Sequence, residues 1–231
     1  MNRAISRAQG FTLIEIAVVL VIVGLLLGGL LLPLGTQQEA RRIGATQEAL
    51  DEAREALFGY AVANGSLPCP DTDNDGVEDP LAGACNAQEG ELPWATLGTP
   101  GNDAVAGNRF RYRVASAYND HATIDCGISG DIDICTAATG GSDCSAGTEV
   151  ALNVAAVVLS HGKNGFGATN RAGNALPAPT AADEVENADT DPVFVSRAPT
   201  GADAQNGLFD DVVTYVPSTL LCSRLIRGGT L

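Results

Sequence analysis

Hydrophobic residues dominate the start of the chain. Residues 16–38 carry no charged side chain, and the stretch is almost wholly apolar as far as Leu34. Because a hydrocarbon core of about 30 Å needs about 20 helical residues, this pattern predicts a membrane-spanning helix over residues 11–34. Arg3 and Arg7 precede it, so we expect the first ten residues on the cytoplasmic side and the remainder exported.

A second, amphipathic pattern follows in residues 35–65. Its apolar positions recur every seven residues at Ile43, Leu50 and Leu57, with charged side chains between them. This spacing predicts that the helix continues with one face against a folded domain. Asn64 and Gly65 form a typical helix-stop signal.

Residues 66–231 change to short alternating or apolar runs separated by turns. The run from Arg109 to Val114 alternates strictly, which predicts a strand with its aromatic residues inward and its arginines on the outer face, paired with nearby acids. Further predicted strands are Val150–Ser160, which we place centrally, Val193–Val195 and Val212–Val216. The fold prediction is α+β: a helical spine on a small antiparallel sheet of three to five strands with long loops.

Composition restricts the class of protein. The 231 residues include 13 basic and 28 acidic side chains, a net charge of −15, and 45% hydrophobic residues. The chain can bury a core, but its acidity disfavours nucleic-acid binding. Six cysteines in an exported domain suggest up to three disulfides, with 15 possible pairings.

Proximity favours a disulfide between Cys69 and Cys85. The other four cysteines could pair as Cys126–Cys135 and Cys144–Cys222, although the sequence leaves this open. A zinc site is the alternative, which the absence of any Cys-x-x-Cys pair and the isolation of the two histidines disfavour.

The Cys69–Cys85 loop contains regularly spaced carboxylates followed by glycine, a pattern that lets oxygen atoms converge on one calcium ion. It resembles Asp-x-Asp-x-Asp-Gly calcium loops, although Ala82 stands where an EF-hand has glutamate. The alternative is a solvated acidic loop. The predicted ligands are Asp71, Asp73, Asp75, Asp79 and the Val77 carbonyl.

A second acidic region, an alternative position for a calcium site, spans residues 183–191, with Asp210 and Asp211 further on. Its spacing matches no recognised metal pattern, so we expect a solvated loop. His121 and His161 are interpreted as surface or turn residues, because Ser160-His161 lacks the context of a catalytic nucleophile. We expect no enzymatic activity; a membrane-tethered hydrolase is the enzyme alternative.

The residues before the apolar run fit neither an ordinary secretory signal nor a plain anchor. Gly10-Phe11-Thr12-Leu13-Ile14-Glu15, followed by the long apolar stretch, resembles the class III signal of type IV pilins and type II secretion pseudopilins. The resemblance implies that a prepilin peptidase/methyltransferase removes residues 1–10 and N-methylates Phe11. It also implies that Glu15 pairs with the Phe11 amine of a neighbouring subunit, as a buried carboxylate needs a partner.

This resemblance implies a pilin-like fold and a structural role. We expect the chain to be inserted first in a bacterial inner membrane and then assembled with other pilin subunits into a periplasmic or cell-surface filament. The sequence does not decide whether the subunit is a major pilin, a minor pilin or a secretion pseudopilin. The large cysteine-rich domain favours a minor or specialised subunit. The alternative is a membrane-anchored exported binding module that does not polymerise.

Overall fold

The first long element is a helix that begins two residues after the predicted cleavage site. The computed structural model describes residues 11–120 and 123–230, with only the backbone described for residues 26–36. Helix α1 covers Leu13–Asn64. The chain divides between Arg41 and Arg42 into two compact units. Within the residues described, we find no helix with both the length and the apolar character required to cross a membrane.

The second unit is built from short strands and three further helices. The strands are β1 (Pro80–Leu81), β2 (Ala84–Cys85), β3 (Glu89–Glu91), β4 (Arg111–Val114), β5 (Ile132–Cys135), β6 (Glu149–Val154), β7 (Ala156–Ser160), β8 (Val193–Val195) and β9 (Val212–Val216). The helices are α2 (Trp94–Leu97), α3 (Ala182–Glu186) and α4 (Ser218–Gly228), and a 3₁₀ turn covers Ser116–Tyr118.

Two sheets form the body of this unit, and β1 and β2 pair as a separate hairpin. The larger sheet is antiparallel with the order β3-β4-β7-β9, as the sequence predicts. The smaller sheet has the order β6-β5-β8, and its β5–β8 pair is parallel. The prediction of antiparallel pairing throughout is therefore wrong for this second sheet.

The predicted strand Val150–Ser160 is divided between the two sheets. Its first part belongs to β6 and its second part to β7, which is central as predicted. Asn153 has a positive φ of 56° and Ala155 lies between the two strands, so the chain changes direction there. The predicted strands Val193–Val195 and Val212–Val216 are confirmed as β8 and β9.

One core joins the second half of α1 to the larger sheet. Leu50 and Leu57 are fully buried in the same cluster as Tyr112 and Val158, which confirms the amphipathic pattern at these two positions. Ile43 is 40% exposed, so of the three predicted apolar positions only those after Ile43 are buried in the core. The buried apolar side chains of α1 are what fix this part of the helix on the sheet.

The arginines of β4 are less exposed than an outer face implies. Arg113 is buried, and its guanidinium donates to Glu89 at 2.7 Å and to the Thr190 carbonyl at 2.8 Å. Arg111 also contacts Glu89. The β3–β4 register sets Glu89 beside Arg113, so the predicted pairing with acids is confirmed. The predicted position on an outer, exposed face is wrong for Arg113.

All six cysteines form disulfides. Cys69–Cys85 agrees with the suggested pairing, but the others are Cys126–Cys222 and Cys135–Cys144 rather than Cys126–Cys135 and Cys144–Cys222. The reason is tertiary: α4 brings Cys222 to Cys126 with a Cα–Cα distance of 5.5 Å. The connection from β5 to β6 returns Cys144 to Cys135.

Candidate functional site

The start of α1 presents apolar side chains to solvent. Phe11 is 79% exposed and Leu13 90%, and the large apolar residues from there to Leu25 are exposed as well. Gly10, the other half of the predicted cleavage site, lies outside the described residues. An exposed apolar surface of this extent is typical of a segment that contacts lipid or another protein.

Thr12 and Glu15 form a reciprocal cap at the beginning of α1. The Glu15 backbone N–H donates to Thr12 Oγ1, and the Thr12 backbone N–H donates to Glu15 Oε2, each at 3.4 Å. This is the capping-box arrangement, in which two otherwise unpaired helix N–H groups are satisfied. The Thr-x-x-Glu spacing in the sequence is the signal for this cap. Glu15 therefore has a local role in addition to the predicted intersubunit one.

Three carboxylates of the predicted calcium loop lie together. Oxygen atoms of Asp71, Asp73 and Asp79, here named the loop cluster, all lie within 4.8 Å of one another. Asp75 is not part of this group; it is exposed, and its Oδ1 accepts the Val77 backbone N–H at 2.7 Å. The structure thus brings together three of the four predicted carboxylates.

Asp71 organises the turn of this loop. It is fully buried, its Oδ1 accepts backbone N–H groups of Asp73 and Asn74, and its Oδ2 accepts that of Gly76 at 2.7 Å. Burial raises the pKa of Asp71. Burial also raises the pKa of neighbouring Glu91 to about 7, with the Asp71 charge acting in the same direction.

The indole ring of Trp94 packs closely against the turn at Gly76. The backbone of Gly76 has a positive φ of 88°, and a Cβ there would lie 2.3 Å from the Trp94 ring. A Cβ on Gly101 would meet the same ring at 2.3 Å. Arg109 stacks over this ring with its Cζ 5.1 Å from the centroid. These glycines therefore allow a close approach that no other residue would permit.

A second acidic group forms where the sequence predicted a solvated loop. Oxygen atoms of Glu184, Asp210 and Asp211, here named the buried cluster, all lie within 4.8 Å of one another. Glu184 is 1% exposed and Asp211 4%. The solvation prediction is wrong for Glu184 and Asp211: Glu184 belongs to α3, Asp211 immediately precedes β9, and tertiary packing buries both side chains. Asp210 is half-buried.

Backbone N–H groups and one arginine side chain hold the carboxylates of α3 in place. The backbone N–H of Ala138 donates to Asp183, and those of Thr139 and Gly140 donate to Glu186. Asp183 is also bound by the Arg197 guanidinium, with a distance of 2.6 Å from Nε to Oδ2. Buried carboxylates that accept several hydrogen bonds are fixed in position.

The buried cluster concentrates negative charge. Burial raises the pKa of Asp211 well above its ordinary value, and the Glu184 and Asp210 charges act in the same direction. Burial likewise raises the pKa values of Glu184 and Asp210. Such raised values mean that the ionised cluster is destabilised unless a positive charge compensates it.

His161 lies beside one member of this cluster, Asp211. It follows β7, and pairing of Ser160 with Val212 sets His161 opposite Asp211, with Nδ1 3.9 Å from Asp211 Oδ2. His161 is 1% exposed, so its interpretation as a surface residue is wrong. Burial lowers its pKa to about 3, with the Arg111 charge acting in the same direction. His121 lies outside the described residues.

Comparison with known proteins bears on the amino-terminal segment. Residues 5–31 match a family model described as the prokaryotic N-terminal methylation motif. The chain therefore carries the prepilin-type signal of type IV pilins and pseudopilins, proteins whose role is structural rather than enzymatic. No curated protein and no solved structure matches the chain significantly.

Proposed function

We propose that this chain is a structural subunit of a type IV pilus or a type II secretion-like filament, with a pilin-like fold and no enzymatic activity. The observation that carries the proposal is the methylation motif at residues 5–31. The exposed apolar side chains between Phe11 and Leu25 support it, because a filament core or a membrane would cover them. A prepilin peptidase/methyltransferase and other pilin subunits are the proposed partners.

The first step is processing at the amino terminus. Cleavage between Gly10 and Phe11 would leave the apolar run in the mature chain and create a positive amine on Phe11. Mass spectrometry of the mature protein should find N-methyl-Phe11 as its first residue. An intact Met1, or a terminus beyond residue 34, would contradict the proposal.

The second step is assembly through Glu15. Its carboxylate caps its own helix through Thr12, so a simple Glu15→Ala change would remove both the cap and the charge. Glu15→Gln separates the two, because glutamine also serves in a capping box but cannot pair as an anion with an amine. We expect Glu15→Gln to be processed normally and to form no filaments.

Thr12→Ala is the matched variant for the cap. It leaves the Glu15 charge intact and removes the hydroxyl that accepts the Glu15 N–H. We expect filaments to persist at a reduced yield, because loss of the cap destabilises the start of the helix by about 1 kcal/mol. Sheared filaments imaged with subunit-specific labelling measure both yields. Normal assembly of Glu15→Gln would refute the intersubunit ion pair and leave only the capping role.

The same images address subtype and location. We propose an inner-membrane precursor whose domain is exported and then enters a periplasmic or surface filament. Labelling along whole filaments indicates a major subunit, whereas sparse labelling indicates a minor one. Processing without any labelled filament would favour the alternative, a membrane-anchored binding module that does not polymerise.

We also propose that the loop cluster binds calcium. The convergence of Asp71, Asp73 and Asp79 supports this, because calcium takes several carboxylate oxygens at about 2.3–2.6 Å. Thermal unfolding should occur at a higher temperature with calcium than with chelator, and Asp73→Ala should abolish the difference. Asp203→Ala, at an exposed aspartate outside the loop, should retain it. No calcium-dependent shift in the unmutated protein would favour a solvated loop.

A further inference from the structure

The second unit contains a polar cavity at its first residue, Arg42. The cavity has a volume of about 680 Å³, which is within the usual range of ligand pockets. Its walls come from Arg42 on α1, from residues 103–108 before β4 and from residues 170–172 after β7. Three segments that are distant in the sequence therefore meet around one space.

Two arginines line this cavity without an acidic partner. Among the described residues, neither Arg42 nor Arg171 forms an ion pair. Arg171 donates its Nε–H to the Gly107 carbonyl at 3.2 Å, which leaves the remaining N–H groups of its guanidinium for another ligand. Both arginines are exposed, in a chain whose net charge is −15. The cavity is therefore a local positive site on an acidic protein.

The acid that lines the cavity in the described part of the chain, Asp103, is already bound by other groups. It is 2% exposed. Its Oδ1 accepts the backbone N–H groups of Ala106 at 2.7 Å and Gly107 at 2.8 Å, and its Oδ2 accepts the Ser160 hydroxyl at 3.1 Å. These hydrogen bonds satisfy the carboxylate within the fold, so the two arginines are left for a ligand from outside.

A hydrogen bond fixes α1 against the turn that Asp103 organises. Thr46 is fully buried, and its Oγ1 accepts the Ala104 backbone N–H at 3.0 Å. Arg42 precedes Thr46 by four residues, so the two side chains lie on the same face of the helix. This contact therefore sets Arg42 beside the turn that Arg171 also binds.

The place of Arg42 in the chain relates the cavity to a membrane. Arg42 follows Leu34, where the predicted membrane segment ends, by eight residues. Eight residues reach at most about 29 Å even when fully extended, so the chain itself keeps Arg42 near the phospholipid headgroups of an inner-membrane precursor. Ala104 and Ala172 add small apolar surface to the lining, which suits an amphipathic molecule better than a free inorganic ion.

We propose that Arg42 and Arg171 bind the phosphate of an anionic phospholipid headgroup. Guanidinium N–H groups match phosphate oxygens in a bidentate geometry, and such charge-assisted hydrogen bonds are stronger than neutral ones. The proposal rests on the inner-membrane precursor of the proposed function. It adds a lipid contact made by the exported domain, which filament assembly by itself does not require.

Native mass spectrometry of the full-length chain in a neutral detergent tests the site. The probes are phosphatidylglycerol, phosphatidylcholine and inorganic phosphate, each added at the same concentration. We expect one phosphatidylglycerol to be retained per chain. Phosphatidylcholine should be retained more weakly, because its own ammonium group balances its phosphate. Inorganic phosphate should also bind more weakly, because it offers nothing to the apolar part of the lining.

The variants assign the contacts. Arg42→Gln and Arg171→Gln should each weaken phosphatidylglycerol binding at least about tenfold, because each removes charge-assisted hydrogen bonds. Arg41→Gln is the matched control, since it removes the same charge from an adjacent exposed residue that is not among the described residues of the cavity lining. We expect Arg41→Gln to retain the affinity of the unmutated chain. Circular dichroism verifies that each variant folds.

Four results would overturn the proposal. Equal retention of the two lipids would show that the cavity does not recognise an anionic headgroup. Inorganic phosphate bound as tightly as phosphatidylglycerol would assign the site to a free anion. Unchanged binding in both Arg42→Gln and Arg171→Gln would place the lipid elsewhere. Loss of chemical cross-linking between copies in these variants, without any lipid preference, would assign the cavity to the acidic surface of a second copy.

The lipid site and the assembly function can fail separately, because the binding experiment uses single subunits in detergent. Normal filaments from a chain that does not retain phosphatidylglycerol would refute the lipid site alone. Retention of phosphatidylglycerol by a chain that forms no filaments would support the lipid site and refute the assembly function.

Discussion

The two acidic clusters of this protein are equal in size but differ in origin. The loop cluster comes from nine consecutive residues, and its carboxylates are held by N–H groups of the same turn. The buried cluster joins α3 to the residues before β9, and its environment is supplied by other parts of the chain. Local spacing can therefore create an acidic group that is partly exposed to solvent, as Asp73 is. Tertiary packing instead creates an acidic group with buried carboxylates, those of Glu184 and Asp211.

The largest expected effect tests the surroundings of the buried cluster. Arg197→Met should lower the free energy of unfolding by about 4 kcal/mol, because it leaves the buried Asp183 carboxylate without its cation. The change also removes the stacking of Arg197 over Phe209, at 4.4 Å. Denaturant unfolding at pH 7 measures the difference.

Arg54→Met is the matched control. Arg54 pairs with Asp51 at 3.2 Å, but both side chains are more than a third exposed. We expect a loss below about 1 kcal/mol, since exposed ion pairs contribute little. Equal losses for the two variants would mean that burial does not make the Arg197–Asp183 pair more stabilising than the exposed Arg54–Asp51 pair.

A smaller effect is expected at the loop cluster. Asp71→Ala should destabilise the protein by about 3 kcal/mol, because three backbone N–H groups lose their acceptor in a buried position. Asp75→Ala removes one exposed acceptor, that of Val77, and should cost less than about 1 kcal/mol. Similar values for the two would show that the turn does not depend on Asp71.

The smallest expected effect is a pH dependence beside the loop cluster. The pKa of Glu91 is raised to about 7, so the folded state retains a proton that the unfolded state releases near pH 4.5. The stability that Glu91 contributes is present below pH 4.5 and is lost as the pH rises through 7. Between pH 5 and pH 8 this loss amounts to about 2 kcal/mol.

Glu91→Gln should remove that loss. Its free energy of unfolding, measured by urea at pH 5 and pH 8, should fall less with rising pH than that of the unmutated protein. Glu52→Gln, at an exposed position, should leave the slope unchanged. An unchanged slope in Glu91→Gln would refute the raised pKa.

The fold was predictable where local pattern decides it. The periodicity of Leu50 and Leu57 and the apolar runs that became β8 and β9 specify both element type and buried face. The second sheet was not predictable, since β5 and β8 are separated by more than fifty residues and their parallel pairing depends on the intervening chain. Register between distant strands is a tertiary property.

Helix α4 was missed although the sequence contains signals for it. Leu221 and Leu225 are four residues apart and both buried, and Gly229 ends the helix with a positive φ of 74°. Recognising it would have placed Cys222 on a helix. Even so, the pairing with Cys126 depends on where α4 packs, which no local signal specifies.

The two acidic clusters also differ in how far the sequence predicts them. Spacing alone located the three carboxylates of the loop cluster, because a glycine-bearing turn brings nearby residues together. The distance of fifty residues between His161 and Asp211 concealed their proximity, which follows from the β7–β9 register. Only the tertiary structure could turn an apparently isolated histidine into a neighbour of the Asp211 carboxylate.

The wedge of Trp94 against Gly76 has a practical consequence. Trp94 is the single tryptophan of the chain, so all indole fluorescence arises beside the loop cluster. Any movement of the turn alters the contact between its backbone and the ring, and with it the emission maximum and the access of quenchers. The protein therefore carries an optical reporter of this loop, readable in unlabelled material.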